Sequence, residues 1–160
     1  MTLIFRVSKS QRLIFTVEAV KQMVAFAQIL PAQSEAGGVL LGRHLLDSLD
    51  VVVDEVTVPQ KADRRSRFSF FRSRMHEEFA QGRWLQQEST LAHLGLWHTH
   101  PEEDPVPSSV DRDDWRKAVL ADRYEGRYLF FPIIGTRRIR VWCLNRRGHM
   151  RELKKEAKNG

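Results

Sequence analysis

Leu94-Gly95-Leu96-Trp97-His98-Thr99-His100-Pro101, then the acidic, proline-rich run from Glu102 to Pro107, then Ser108-Ser109-Val110-Asp111, is the stretch on which the reading of this chain turns. Leu94 to His98 reads as an apolar strand, the residues after Pro101 as a loop, and Ser109 to about Leu120 as a helix. Side chains alternate along a strand, so His98 and His100 leave its end from the same face. Neutral imidazole is a common zinc ligand, and a catalytic zinc site uses three protein ligands with a fourth position for water. Asp111, at the start of the helix, is close enough for the proline-rich turn to bring its carboxylate to the two imidazoles. Such a set would carry a net charge of about +1 and lower the pKa of bound water toward roughly 7. Each part has an ordinary explanation when taken alone. Ser108 and Asp111 have the spacing of a helix capping box, and a His-x-His pair is often merely solvated. Their combination, with an acid at Glu35 just before the pair Gly37-Gly38, argues against coincidence.

On the N-terminal side, Leu3 to Val7 and Arg12 to Phe15 read as two strands around the polar turn Ser8 to Gln11. A helix follows with Thr16 as its N-cap; Val20, Met23, Val24 and Ala27 share one face, and Pro31 closes it. Gly37 to Leu41 and Val51 to Val58 read as neighbouring strands joined near Asp47 to Asp50. Pro59 to Arg67 is polar and aperiodic, which predicts a surface loop. A second helix is expected over Arg72 to Gln86, with Met75, Phe79 and Trp84 facing inward and Gly82 weakening its end. Strands are expected at Tyr128 to Ile134 and Ile139 to Leu144, and Glu152 to Gly160 reads as a frayed helix end or a disordered tail. The order of elements is that of an α/β or α+β domain.

With 160 residues, 42% hydrophobic content, nine Phe and four Trp, the chain can bury one ordinary core. No signal peptide is legible and no apolar run could span a bilayer, which predicts a cytoplasmic protein with no membrane partner. Cys143 is the sole cysteine, so an internal disulfide and a thiolate metal cluster are both excluded, and any metal site must use His and carboxylate ligands. Its apolar surroundings predict a buried thiol rather than a nucleophile. The net charge of +6 is concentrated at Lys61 to Arg74 and Arg137 to Arg147. Without a nucleic-acid motif beside them, these clusters read as a solvated basic face or a dock for an acidic protein, and nucleic acid is not the expected partner.

The run His98-Thr99-His100-Pro101 with Ser108 and Asp111 at their spacing resembles the JAMM motif of the MPN-plus (Mov34/PAD-1, JAB) metalloproteases. Ser34-Glu35-Ala36-Gly37-Gly38-Val39-Leu40-Leu41-Gly42 resembles that family's upstream element, a Glu after the first helix and before a glycine-containing strand. The resemblance covers nearly the whole chain. It implies a single MPN/cytidine-deaminase-like domain over 1–152, with a central mixed β-sheet flanked by helices, and a charged tail over 153–160. It also implies that His98, His100 and Asp111 bind Zn2+, that Glu35 is the general base and returns the proton to the leaving amine, and that Ser108 hydrogen-bonds the oxyanion.

Small bacterial members of that family resemble deconjugating peptidases encoded beside E1-like and E2-like enzymes in antiphage operons. The implied substrate is a conjugate of a ubiquitin-like modifier or of a cGAS-like nucleotidyltransferase, cut after the C-terminal residue. Trimming of a sulfur-carrier protein is the alternative within the same chemistry. A non-catalytic MPN scaffold is a different class, against which the intact motif argues. Pro59 to Phe71 is the candidate segment for gripping a modifier's tail by strand addition, and Trp97 or Trp115 would line the cleft or else belong to the core.

Overall fold

The structure is a computed structural model that describes residues 1–86 and 91–157, with the side chains of 84–86 outside the described part. Its elements in chain order are β1 (Leu3–Ser8), β2 (Gln11–Phe15), α1 (Val17–Val24), β3 (Gly37–His44), β4 (Val51–Val56), β5 (Arg64–Ser66) and β6 (Ser69–Phe71). They continue with α2 (Met75–Gln86), β7 (Ala92–Thr99), α3 (Ser109–Ala121), β8 (Tyr128–Ile134), β9 (Ile139–Asn145), β10 (Met150–Glu152) and β11 (Lys154–Lys155).

Nine strands form one sheet in the order β10, β9, β8, β7, β3, β4, β2, β1, β11. The pairs β2 with β4 and β7 with β8 are parallel and the other neighbours antiparallel, so the sheet is mixed. Its two outer strands, β10 and β11, are successive pieces of one segment, and Leu153 between them is buried with its N–H donated to Val141. The sheet therefore curls until one segment serves both of its edges, which leaves few unpaired backbone groups there. This corrects the expected frayed or disordered tail over residues 152–157; residues 158–160 lie outside the described part. The physical reason is Leu153, one apolar residue in a charged run, which enters the core while its neighbours pair on either side.

α1 covers one face of the sheet and α3 the other. Thr16 caps α1 by accepting the Ala19 N–H, and Ala19, Val20 and Met23 turn toward Phe5, Phe15 and Val53. The helix ends at Val24, well before Pro31, because the chain turns to send the buried Gln28 amide to the carbonyls of Gln33 and Arg67. On the opposite face Trp115, Ala118 and Val119 of α3 pack with Leu96, Leu129, Phe131 and Trp142. In β7, a Cβ on Gly95 would sit 1.8 Å from the Phe130 carbonyl, so only glycine allows β8 to approach there.

Two further expectations are corrected. Part of the predicted loop over Pro59 to Arg67 is strand: β5 pairs with β6 as a hairpin outside the main sheet. Among the described side chains of α2 the one that is buried is His76, whereas Met75 and Phe79 are each 47% exposed. The apolar pattern misled because the inner face of α2 is anchored by hydrogen bonds, with Thr57 and Asp63 on the two ring nitrogens of His76. The expected inward side chain of Trp84 lies outside the described residues. No helix among the described residues is long and apolar enough to cross a membrane.

Candidate metal centre

At the end of β7 the strand period does what the spacing predicts, turning His98 and His100 to the α3 side while Thr99 between them points the other way. Thr99 ties two segments together. Its N–H donates to the Ala36 carbonyl, its hydroxyl oxygen accepts the Ala36 N–H at 2.9 Å, and its own proton goes to Gln28 at 2.8 Å. This tie holds Glu35, next to Ala36, beside the histidines although the two lie far apart in sequence. The β5–β6 hairpin secures Glu35 from its outer side: the Glu35 N–H donates to the Ser66 carbonyl at 2.7 Å, and Arg65 Nε donates to the Glu35 carbonyl at 2.9 Å.

Asp111 arrives from the first turn of α3. The capping box predicted from Ser108 and Asp111 is present: the Ser108 hydroxyl oxygen accepts the Asp111 N–H at 3.1 Å, and Asp111 Oδ2 accepts the Ser108 N–H at 2.8 Å. The same Oδ2 lies 3.3 Å from His98 Nε2 and 3.1 Å from His100 Nε2, and the two Nε2 atoms are 3.0 Å apart. Three ligands on a tetrahedral zinc ion, with bonds near 2.0–2.1 Å, stand about 3.3 Å from one another. The donor set and its spacing therefore fit one zinc-sized ion. Glu35, His98, His100 and Asp111 offer one ligand atom each, all within 4.8 Å of one another, and the first three are buried.

The charges in this cluster are strongly coupled. Burial pushes the Glu35 carboxyl up to about 8; His100 lowers it and the Asp111 charge adds to the rise. Among the described residues no hydrogen bond reaches the Glu35 carboxylate. Burial works against ionisation of Asp111 as well, but the hydrogen bonds from His100, His98 and the Ser108 N–H outweigh it and hold Asp111 well below the ordinary carboxylate range. Burial also disfavours a proton on His100, yet Asp111, Glu35 and Glu102 together raise its pKa. Glu102, which sequence reasoning treated only as the start of an acidic loop, accepts from His100 Nδ1 at 2.9 Å. The available signal was its place two residues after the ligand, beyond a proline.

Trp97 and Trp115 both belong to the core rather than the cleft. Trp97 donates its indole N–H to the Thr57 carbonyl, and Trp115 stacks on Phe131 with its ring 6.1 Å from that of His98. In the hairpin, Arg65 and Arg67 spend their guanidinium groups on main-chain carbonyls of the protein itself, while Arg64 lies over the exposed Phe71 ring. A groove of about 860 Å³ lies between α3 and the β6–α2 side, with Asp111, Val39, Leu96 and Ala80 among the residues that line it. Cys143 is buried in β9 and burial pushes its thiol up to about 11.

Comparison with known proteins agrees with this architecture. The family model described as prokaryotic homologs of the JAB domain matches residues 16–145. A Pseudomonas aeruginosa protein named CD-NTase/cGAS isopeptidase is 38% identical over 75% of this chain and 73% of its own length. A Vibrio cholerae protein of the same name is 29% identical over 75% of this chain and 76% of its own length. Among solved structures, a protein from Desulfitobacterium hafniense has the same fold, with a TM-score of 0.62 at 24% identity and 88% of each chain covered. The matched span reaches from the cap of α1 to the end of β9 and includes Glu35, His98, His100, Ser108 and Asp111, and on these grounds the chain belongs to the family of prokaryotic JAB-domain proteins.

Proposed function

We propose that this protein is a zinc-dependent isopeptidase that detaches a protein joined to its target through its C-terminal residue. The observation that carries the proposal is the triangle of His98 Nε2, His100 Nε2 and Asp111 Oδ2, spaced as three ligands of one ion, with the buried Glu35 carboxylate beside it. These three residues would hold Zn2+, which when bound supplies Lewis acidity to the scissile carbonyl and makes water more acidic.

Glu35 is the general base. A carboxyl raised toward neutrality is matched to taking a proton from water and returning it to the leaving amine, and its burial keeps competing solvent away. Ser108 is exposed beside Asp111, and its hydroxyl oxygen already accepts one N–H. Its own proton therefore remains to be donated to the oxyanion that develops on the carbonyl. Capping and catalysis use opposite ends of the same O–H group.

The substrate class rests on likeness to the isopeptidase relatives. We infer a conjugate of a cGAS-like nucleotidyltransferase, made by a conjugating partner of the E1/E2 kind. The tail of the detached protein would lie in the groove that Asp111 and Phe71 help to line, with the edge of β6 and the neighbouring Arg64 as its grip.

The test is metal analysis by mass spectrometry together with cleavage of a nucleotidyltransferase linked through its C-terminus to a lysine amine. One zinc per chain, and cleavage that stops with a chelator and returns with Zn2+, are expected. Protein that takes up no zinc on titration, or zinc-loaded protein that leaves the linkage intact, would overturn the reading.

A further inference from the structure

His100 differs from His98 in having a defined partner on each ring nitrogen. Its Nε2 faces the donor triangle, and its Nδ1 lies 2.9 Å from Glu102 Oε1. An ionised carboxylate can only accept, so Nδ1 carries the proton of this contact, and in the neutral ring the lone pair is then on Nε2, where a metal would take it. The choice of tautomer is thus made outside the site, by a residue that is itself no ligand.

The loop that carries Glu102 is fastened from the far side. Thr136 N–H donates to the Glu102 carbonyl at 2.8 Å, Arg138 N–H to the Glu103 carbonyl at 3.1 Å, and Arg140 to the Pro105 carbonyl at 3.2 Å. All three donors come from the β8–β9 turn and the start of β9. The close fit needs Gly135, where a Cβ would stand 2.6 Å from the Glu102 carbonyl oxygen and from Pro105. The His100 N–H itself is held by the Ile134 carbonyl at 3.1 Å, so ring and carboxylate are referenced to the same turn.

We propose that Glu102 is a positioning residue for the metal: its carboxylate fixes the tautomer and ring orientation of His100 so that Nε2 is presented as a ligand. The assignment rests on the metal-site reading above. Outer partners of ligating histidines raise their basicity and hold their rings, and losing one costs metal affinity on the order of 10- to 100-fold.

The experiment is competition for Zn2+ between the protein and a chromophoric chelator, with the Co2+-substituted protein recorded in parallel. Wild type, Glu102→Ala, Glu102→Gln and Glu103→Ala are compared, with the melting temperature of each metal-free protein as a control for folding. Glu102→Ala is expected to bind Zn2+ roughly 10- to 100-fold more weakly and to shift the visible Co2+ bands, with an unchanged metal-free melting temperature. Glu102→Gln keeps a neutral acceptor and recovers part of the affinity. Glu103→Ala removes an equal charge from the same loop without touching His100, and should stay within about two-fold of wild type if orientation rather than bulk charge is the cause. Equal affinity in wild type and Glu102→Ala, or an equal loss in Glu103→Ala, overturns the assignment alone. Wild-type protein that takes up no Zn2+ overturns it together with the metal site on which it rests.

Discussion

Two buried clusters in this protein are built from the same materials, histidine, carboxylate and hydroxyl, and they are opposites. In the first, Thr57 accepts the Val39 N–H and pairs with His76 Nδ1, His76 Nε2 lies 2.7 Å from Asp63, and Asp63 also accepts the N–H groups of Gln60 and Ser73. Every partner in that chain is provided by the protein, and it locks the base of the hairpin and α2 onto β4. In the second, His98, His100 and Asp111 turn three donor atoms toward one another, and Glu35 is buried beside them with no hydrogen bond to its carboxylate from the described residues. A saturated polar cluster fastens structure, whereas a converging set with an unpaired acid holds electrostatic free energy that only a cation or a proton can release.

The largest expected effect sharpens that contrast. His98→Ala should lose the metal and more activity than Glu35→Gln, which keeps the metal and falls on the order of 10²- to 10⁴-fold in kcat. His76→Ala should do the reverse. It takes one buried partner each from Thr57 and Asp63, which keep only their main-chain N–H donors, and costs about 3 kcal/mol in urea unfolding, while zinc stoichiometry stays at the wild-type value. Loss of zinc in His76→Ala at a temperature where the protein is folded would break the distinction between the clusters.

Ser108→Ala lies between these extremes. It should lose about 1 kcal/mol of stability through the cap and on the order of 10²-fold in kcat through the oxyanion contact, with little change in KM. A stability loss with unchanged kcat would leave Ser108 as a cap and nothing more.

One acid from each cluster, Glu35 and Asp63, should also answer to pH with opposite sign. The folded state raises Glu35 from its ordinary value of 4.5 to about 8, so it holds a proton that the unfolded chain releases. That contribution to the stability of the metal-free protein is complete below pH 4.5 and lost as pH rises through about 8. In the saturated cluster burial alone would raise Asp63, but the N–H donors and His76 outweigh it and lower its pKa. Its contribution is present above the ordinary value of 3.8 and lost as pH falls below it. Urea midpoints of metal-free protein at pH 5, 7 and 9 should therefore decline, and Glu35→Gln should flatten the decline; an unchanged slope would show that Glu35 is not buried as an acid. The smallest expected effect is at Cys143, whose buried thiol should resist alkylation in the folded protein at pH 8 and react only in denaturant.

What could be read from the sequence follows the range of the interaction. The common face of His98 and His100, the capping box of Ser108 with Asp111, and the cap at Thr16 were all legible, because strand period and helix-end chemistry act over a few residues. Glu35 was legible only as an acid before a glycine strand, since its burial depends on Thr99 and Ala36 bonding across β3 and β7. The inner face of α2 was misread because a buried histidine with two hydrogen bonds anchors a helix as firmly as the apolar side chains that periodicity detects.

By itself, then, the sequence determined the local directions of the ligands, the kinds of atom available to hold a metal, and an alternating order of strands and helices. Only the tertiary structure decided which carboxylate would be raised and which lowered, that Glu102 would reach His100, that β5 and β6 would brace Glu35, and that Leu153 would let one segment serve both edges of the sheet. The reason is physical. Direction along a strand or at a helix end is set by backbone geometry within a turn or two, whereas burial and pairing between distant segments exist only once the sheet has curled and brought them together.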